Sequence, residues 1–82
     1  MKARNLAINQ FILWDDDRNK FLQSYDSIIV KINHRGDIYL DEYYWDYSKT
    51  TGRYRNQFLG ETKNETLKKI KSGKYKLINL NK

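Results

Sequence analysis

Residues 43–60 of the chain read Tyr-Tyr-Trp-Asp-Tyr-Ser-Lys-Thr-Thr-Gly-Arg-Tyr-Arg-Asn-Gln-Phe-Leu-Gly. Up to Trp45 the sequence alternates with the two-residue period of a β-strand, whereas after Ser48 the large side chains recur at helical spacing. The predicted helical stripe consists of Tyr47, Thr51, Tyr54 and Phe58. The stretch therefore marks the point where a sheet ends and helices begin, and it decides the class of fold.

Two short helices are predicted beyond this point. Asp46 or Ser48 can cap the first helix by accepting hydrogen bonds from its first backbone N–H groups, and Gly60 is a natural end to it. Gly52 inside the helix costs roughly 1 kcal/mol relative to alanine, which favours a short helix or a late start. The segment Thr62–Glu65 fits a capping box, so a second helix is expected to begin there.

Alternating apolar residues predict strands on both sides of the helices. Because short apolar runs are ambiguous, a helix remains an alternative for the first of them. The predicted strands cover residues 8–14, about 20 to 33, 38–45 and 74–80. The order β-β-β-α-α-β predicts an α+β fold, a small antiparallel sheet with two short helices packed on one face. The length, 82 residues, predicts a single domain over residues 1–82.

Side-chain parity predicts which residues face the helices. In the central strand one face is expected to carry Ile28, Val30 and Ile32, with Ile29 on the opposite face. Parity in the aromatic stretch leaves two interpretations open. In one interpretation, an inner wall is formed by Tyr43, Trp45 and Tyr47. Only Tyr39 and Tyr44 would then remain outside. In the other, Tyr39 and Tyr44 belong to a protein-binding surface, since tyrosine and tryptophan are enriched at binding hot spots.

The charge of the chain is unevenly distributed. Residues 1–47 carry six Lys or Arg against eight Asp or Glu, while residues 48–82 carry ten against two. Such an asymmetry indicates an anionic partner. Lysine and arginine clusters bind phosphates, and arginine and asparagine can also pair with base edges. The predicted nucleic-acid contacts are Lys49, Arg53, Arg55, Asn56, Lys68, Lys69 and Lys71. The alternative is that these lysines form an ordinary solvated face that keeps a small protein soluble.

Few residues suit enzyme chemistry. The chain has no cysteine and one histidine, His34, which lies in a predicted hairpin turn. No glycine-rich phosphate loop is present, and the acidic run at 15–17 lacks the ligand spacing of a calcium loop. We therefore expect a non-enzymatic protein with no cofactor, no metal and no catalytic residue. The absence of a long apolar run predicts a cytoplasmic protein without membrane contact.

Several segments together resemble a known family. They are Ser24–Ile29, Ile38–Leu40 and the run from Trp45 to Leu59, whose most specific part is the Tyr-Ser-x-Thr-Thr segment at residues 47–51. The chain resembles a family of small proteins of unknown function from phages and prophages of Gram-positive bacteria with AT-rich genomes. The similarity covers residues 24–80 and implies the cytoplasm of an infected bacterium as the setting. It implies no activity, cofactor or catalytic residue.

The same segment concentrates hydroxyl groups at the predicted start of the first helix. Helix N-termini attract anions, and Lys49 and Arg53 flank this one. One hydroxyl suffices for capping, so Ser48, Thr50 and Thr51 are predicted to contact phosphate or a carboxylate of a partner.

Two functions from different classes follow from these patterns. The first is a small phage-encoded binding or regulatory protein that contacts nucleic acid through its basic half, residues 48–82. The alternative is an inhibitor or adaptor that binds a host protein through an exposed aromatic surface. A minor structural component of the virion is a third, weaker interpretation.

Overall fold

In the computed structural model, which describes residues 2–82, six strands form one mixed sheet and two helices follow its fifth strand. The elements are β1 (Lys2–Ala7), β2 (Gln10–Trp14), β3 (Lys20–Ser24), β4 (Ser27–Ile32), β5 (Ile38–Asp41), α1 (Lys49–Leu59), α2 (Lys63–Lys71) and β6 (Tyr75–Ile78). The α+β class is confirmed, with strands first, then two helices and a final strand.

The sheet order follows the chain from β1 to β6. The first five strands form an antiparallel meander, and β6 lies beside β5 in parallel orientation. Parallel neighbours need a crossover connection, which the two helices provide. The structure thus has five strands ahead of the helices where three were predicted, and its last pair is parallel where an antiparallel sheet was predicted.

The additional strands arise from two tight turns that carry no glycine. Ile8 and Asn9 turn the chain between β1 and β2, where the prediction had a strand begin, and Ile8 is 86% exposed. Tyr25 makes the corresponding turn between β3 and β4, inside a segment predicted as one strand. Asn9 and Tyr25 have φ angles of 61° and 55°, a region that residues with a side chain seldom adopt. The Tyr25 N–H donates to the Asn9 carbonyl over 2.7 Å, which joins the two turns.

A β-bulge changes the parity of β4. Leu22 pairs with Val30 and Gln23 pairs with Ile28, so Ile29 is an extra residue in the ladder. Ile29 and Val30 are both buried, at 1% and 0% exposure. The predicted outward position of Ile29 is therefore wrong, because a bulge lets two consecutive residues turn to the same side.

The core lies between one face of the sheet, here called the inner face, and the two helices. Its buried residues are Leu22, Ile29, Val30, Leu40 and Tyr75, against which Phe58, Leu59 and Ile70 of the helices pack. The opposite face, here called the outer face, is covered by neither α1 nor α2.

Both helices begin with the predicted type of cap. The Ser48 hydroxyl accepts from the Thr51 N–H at 3.1 Å, so α1 begins at Lys49 despite the glycine at position 52. Thr62 and Glu65 form the predicted capping box of α2, with bonds of 3.2 and 3.0 Å. Within residues 2–82, no helix has the length and apolar character needed to cross a membrane.

The strand β5 ends at Asp41, and residues 42–47 form turns. The buried Asp41 carboxylate accepts from the N–H groups of Tyr43, Tyr44 and Leu80 at 2.8–3.0 Å. These bonds bend the chain away from the sheet, so strand parity does not apply to the aromatic stretch.

Candidate nucleic-acid interface

A shallow depression lies beside the start of α1 and the start of α2. Its lining residues, here called the basic depression, are Asp46, Ser48, Lys49, Gly52, Arg53, Arg55, Asn56 and Lys63. Four of these side chains are cationic and one is a carboxylate. Lys49 and Arg53 are one helical turn apart on α1 and both are exposed, so they present their charges on the same side. The depression thus carries an excess of positive charge.

Arg55 lies beneath this surface and is only 1% exposed. Its Nη1 donates to the Trp45 carbonyl at 2.6 Å and to Asp46 Oδ1 at 3.1 Å, and its Nη2 donates to Asn56 Oδ1 at 2.9 Å. The guanidinium carbon is 5.1 Å from the centroid of the Trp45 ring. The prediction of Arg55 as a nucleic-acid contact is therefore wrong, because the side chain is buried and its Nη1 and Nη2 donate to internal oxygen atoms. Asn56 serves as one of those acceptors.

Asp46 joins the two helices electrostatically. Its Oδ2 lies 2.6 Å from Lys63 Nζ, while Oδ1 bonds to Arg55. Partial burial pushes the pKa of Asp46 upward, but the hydrogen bonds from Lys63 and Arg55 outweigh it and hold this pKa below its usual value. Asp46 is thus a charged bridge from α1 to α2, and Ser48 is the residue that caps α1.

Two of the three predicted anion-contacting hydroxyls have internal partners. The Ser48 hydroxyl caps α1, and the buried Thr51 hydroxyl lies 3.0 Å from Ser24 Oγ and 3.2 Å from Ser48 Oγ. This chain of hydroxyls ties the end of β3 to the start of α1. Thr50 is exposed and is the one of the three whose hydroxyl has no bond to another described residue.

The predicted lysines of α2 divide into two groups. Lys69 Nζ lies 2.6 Å from Glu61 Oε1, which also accepts from the Tyr75 hydroxyl at 2.9 Å. Burial raises the pKa of Glu61, but hydrogen bonds from Lys69, Thr66 and Tyr75 outweigh it, so the pKa lies below its usual value. Lys69 therefore docks α2 onto β6. In contrast, Lys68 and Lys71 are exposed and make no ion pair with any carboxylate of residues 2–82.

In the aromatic stretch, Trp45 faces the core as the inner-wall interpretation predicted, whereas Tyr43, Tyr44 and Tyr47 are placed opposite to it. Tyr43 and Tyr47 are 68% and 62% exposed, whereas Tyr44 and Trp45 are half-buried against the core. Ring centroids within the group Tyr43, Tyr44 and Tyr47 are 4.7–6.0 Å apart. Tyr39, also half-buried, lies elsewhere, on the outer face. The structure thus separates the predicted pair Tyr39 and Tyr44.

Sequence reasoning missed the internal use of charge in this region. The signal for Lys69 was present, since Glu61 and Lys69 are eight residues apart across the start of α2, but their contact needs the tertiary fold. The contact of Arg55 with Asp46 had a weaker signal in the sequence. Asp46 lies in the turn before α1, and the path of that turn depends on hydrogen bonds to the Asp41 carboxylate. Among residues 2–82, no group of three His, Asp or Glu side chains could hold a metal ion.

The fold and the basic depression define a small α+β protein with a cationic helical side. The chain matches DUF8033, a family of unknown function, over residues 1–74, and it belongs to that family. No curated protein and no solved structure matches it. The expectation that the chain belongs to a family of unknown function is confirmed.

Proposed function

We propose that this protein is a small non-enzymatic binding protein that contacts nucleic acid through residues 48–82, and that it is encoded by a phage or prophage of a Gram-positive bacterium and acts in the host cytoplasm. The phage setting is supported by the resemblance in the Tyr-Ser-x-Thr-Thr segment at residues 47–51.

One observation carries the proposal of nucleic-acid contact. Both carboxylates of this half are engaged internally: Glu61 with Lys69 and Tyr75, and Glu65 in the capping box of α2. Lys63 is the one exposed cation of the two helices that pairs with a carboxylate of residues 2–82, Asp46. Four other exposed cations of α1 and α2 make no ion pair within residues 2–82; they are Lys49, Arg53, Lys68 and Lys71. A surface with unpaired cations and no free carboxylate of its own attracts a phosphate backbone, with release of counterions on binding.

The test is an anisotropy titration of labelled single-stranded DNA, duplex DNA and RNA at about 50 mM and about 200 mM salt. We expect affinity to fall steeply with salt. The Lys49→Ala/Arg53→Ala variant should lower the salt slope by about 1 for each phosphate that it no longer neutralises. Arg4→Ala/Arg18→Ala is the matched control, since it removes the same charge from exposed positions outside this half. Absence of binding by the wild type at the lower salt would refute the proposal.

A second function is supported by the exposed tyrosines. Tyr43 and Tyr47 contact each other above the half-buried Tyr44, and Tyr47 lines a small cleft together with Tyr25, which is also exposed. Rigid exposed aromatics of this kind anchor protein interfaces. If the protein instead acts as an inhibitor or adaptor of a host protein, binding to that partner should vary little with salt and should be abolished in Tyr43→Ser/Tyr47→Ser.

A further inference from the structure

On the outer face, four side chains in register cross β3, β4, β5 and β6, and Leu13 of β2 continues the row beyond Phe21. Phe21 pairs with Lys31, Lys31 with Tyr39, and Tyr39 with Lys76 across β3, β4, β5 and β6. Directly opposed residues in neighbouring strands project from the same face of a sheet. The adjacent residues Leu22, Val30 and Leu40 are buried on the inner face, which places the row on the outer one. We call Phe21, Lys31, Tyr39 and Lys76 the outer row.

The outer row alternates aromatic rings with ammonium groups. Lys31 Nζ lies 6.0 Å from the centroid of the Tyr39 ring. Tyr39 also shares a shallow depression with Lys74, Lys76 and one carboxylate, Asp37, which is paired with Arg35. Phe21 and Tyr39 are two strands apart, so about 10 Å separates the two rings along the sheet. Tyr39 thus has a cation beside its ring, and Phe21 lies directly across the ladder from Lys31.

We propose that the outer row is a platform on which a single-stranded nucleic acid stacks its bases, with Phe21 and Tyr39 as stacking surfaces and Lys31 and Lys76 as phosphate contacts. The inference rests on the proposed function and specifies its ligand and a second surface. Open sheet faces that present aromatic rings bind unpaired bases in this way, because every base has a flat π-face. Bases within a duplex are already stacked and cannot reach the rings.

Charge complementarity favours a nucleic acid over a protein as the occupant. Lysine is depleted in the centres of protein interfaces, whereas Lys31 lies between the two aromatic rings. A second copy of the chain docked on this face would have to bury Lys31 and Lys76, which make no ion pair within residues 2–82. A phosphate between the rings would neutralise Lys31.

The acidic turn at residues 15–17 limits the platform at one end. Hydrogen bonds from Asn19, and to a smaller extent the charge of Lys31, lower the pKa of Asp15, so its carboxylate is ionised near the β2–β3 end of the face. Phosphates are repelled there, and we expect the bound strand to run towards β6, where Lys74 and Lys76 lie.

The experiment compares an oligothymidylate of about 12 nucleotides with a duplex of the same length, using Phe21→Leu/Tyr39→Leu and the matched variant Tyr43→Leu/Tyr47→Leu. Both variants lose two aromatic rings, but only the first alters the outer row. We expect the first variant to lose at least about tenfold in affinity for the single strand while its duplex affinity stays unchanged. The matched variant should bind both ligands like the wild type.

Photocrosslinking of wild-type protein to a 5-iodouridine oligonucleotide keeps the inference testable if Phe21→Leu/Tyr39→Leu does not fold. Crosslinks at Phe21 or Tyr39 would support the platform. Single-strand binding with crosslinks confined to residues 48–71 would overturn it and leave the proposed function standing. The proposal would also be overturned if the wild type formed a dimer, the Phe21→Leu/Tyr39→Leu variant were monomeric, and the two bound oligonucleotides equally well. Absence of all nucleic-acid binding by the wild type would refute both.

Discussion

Cations lie beside aromatic rings on both faces of the sheet, but their surroundings differ. On the helical side, the Arg55 guanidinium is 5.1 Å from the Trp45 ring, and three internal oxygen acceptors bond to it. On the outer face, Lys31 is 6.0 Å from the Tyr39 ring, and no carboxylate of residues 2–82 forms an ion pair with it. Residue type alone therefore does not separate a structural cation from a binding one. What separates them is whether the fold supplies acceptors.

The largest expected effect comes from removal of the Arg55 side chain, the cation that is bonded internally. Arg55→Ala leaves the half-exposed Asp46 without its buried partner and opens a space beside Trp45. We expect it to lower the free energy of unfolding by about 2–4 kcal/mol, measured by urea denaturation. Arg53→Ala is the natural control, two positions away and exposed, with an expected change within about 0.5 kcal/mol. Equal losses in the two variants would contradict the buried role of Arg55.

The second test concerns the buried carboxylate Glu61 and its dependence on pH. Its pKa is lowered in the folded state from an ordinary value of 4.5. The unfolded chain therefore binds the proton more readily, so the stabilisation is complete above pH 4.5 and is lost as the pH falls through the folded-state value. We expect Glu61→Gln to cost about 1–3 kcal/mol at neutral pH and to flatten the fall of Tm as the pH drops below 4.5.

Some acid sensitivity should remain in Glu61→Gln. The reason is that the pKa values of Asp41 and Asp46 are also lowered: burial raises each of them, but hydrogen bonds outweigh it. A variant whose Tm depends on pH as steeply as that of the wild type would show that Glu61 is not the carboxylate responsible.

The sequence predicted those parts of the fold that depend on local chemistry. The caps at Ser48 and Thr62 follow from side chains that bond to backbone a few residues away, and the order of strands and helices follows from periodicity. The turns at Asn9 and Tyr25 escaped prediction because residues other than glycine rarely adopt positive φ. The bulge at Ile29 escaped it because alternation has no signal for an extra residue in the ladder.

The candidate site was predictable only in part. The charge excess of residues 48–82 is a property of composition and needs no fold. The division of these cations into engaged and free ones depends on contacts between distant segments, such as Lys69 with Glu61 and Tyr75. The outer row depends on strand register in the same way. Phe21 and Lys76 are far apart in the sequence, and three successive strand pairings place them in the same row.

Gln10 is a second buried polar side chain on the helical side of the sheet, but it lacks the kind of internal partner that Arg55 has. It is fully buried on the inner face opposite Ser24, and no group of residues 2–82 bonds to its amide oxygen or nitrogen. A buried amide without partners is destabilising. We expect Gln10→Met, which keeps the length of the side chain, to raise the free energy of unfolding by about 1 kcal/mol. A loss of stability on thermal denaturation would show that the amide is hydrogen-bonded in solution.

The smallest expected change in stability belongs to the lysines of the outer row. Lys31→Gln/Lys76→Gln removes two charges that make no ion pair within residues 2–82. We therefore expect the free energy of unfolding to change by no more than about 0.5 kcal/mol. Its effect should appear in binding, where two fewer neutralised phosphates lower the salt slope for single-stranded DNA by about 1.4. Arg4→Gln/Arg18→Gln removes the same charge from exposed positions outside the row and should leave that slope unchanged. If stability falls by several kcal/mol instead, the lysines of the outer face are structural like Arg55, and the difference between the two faces disappears.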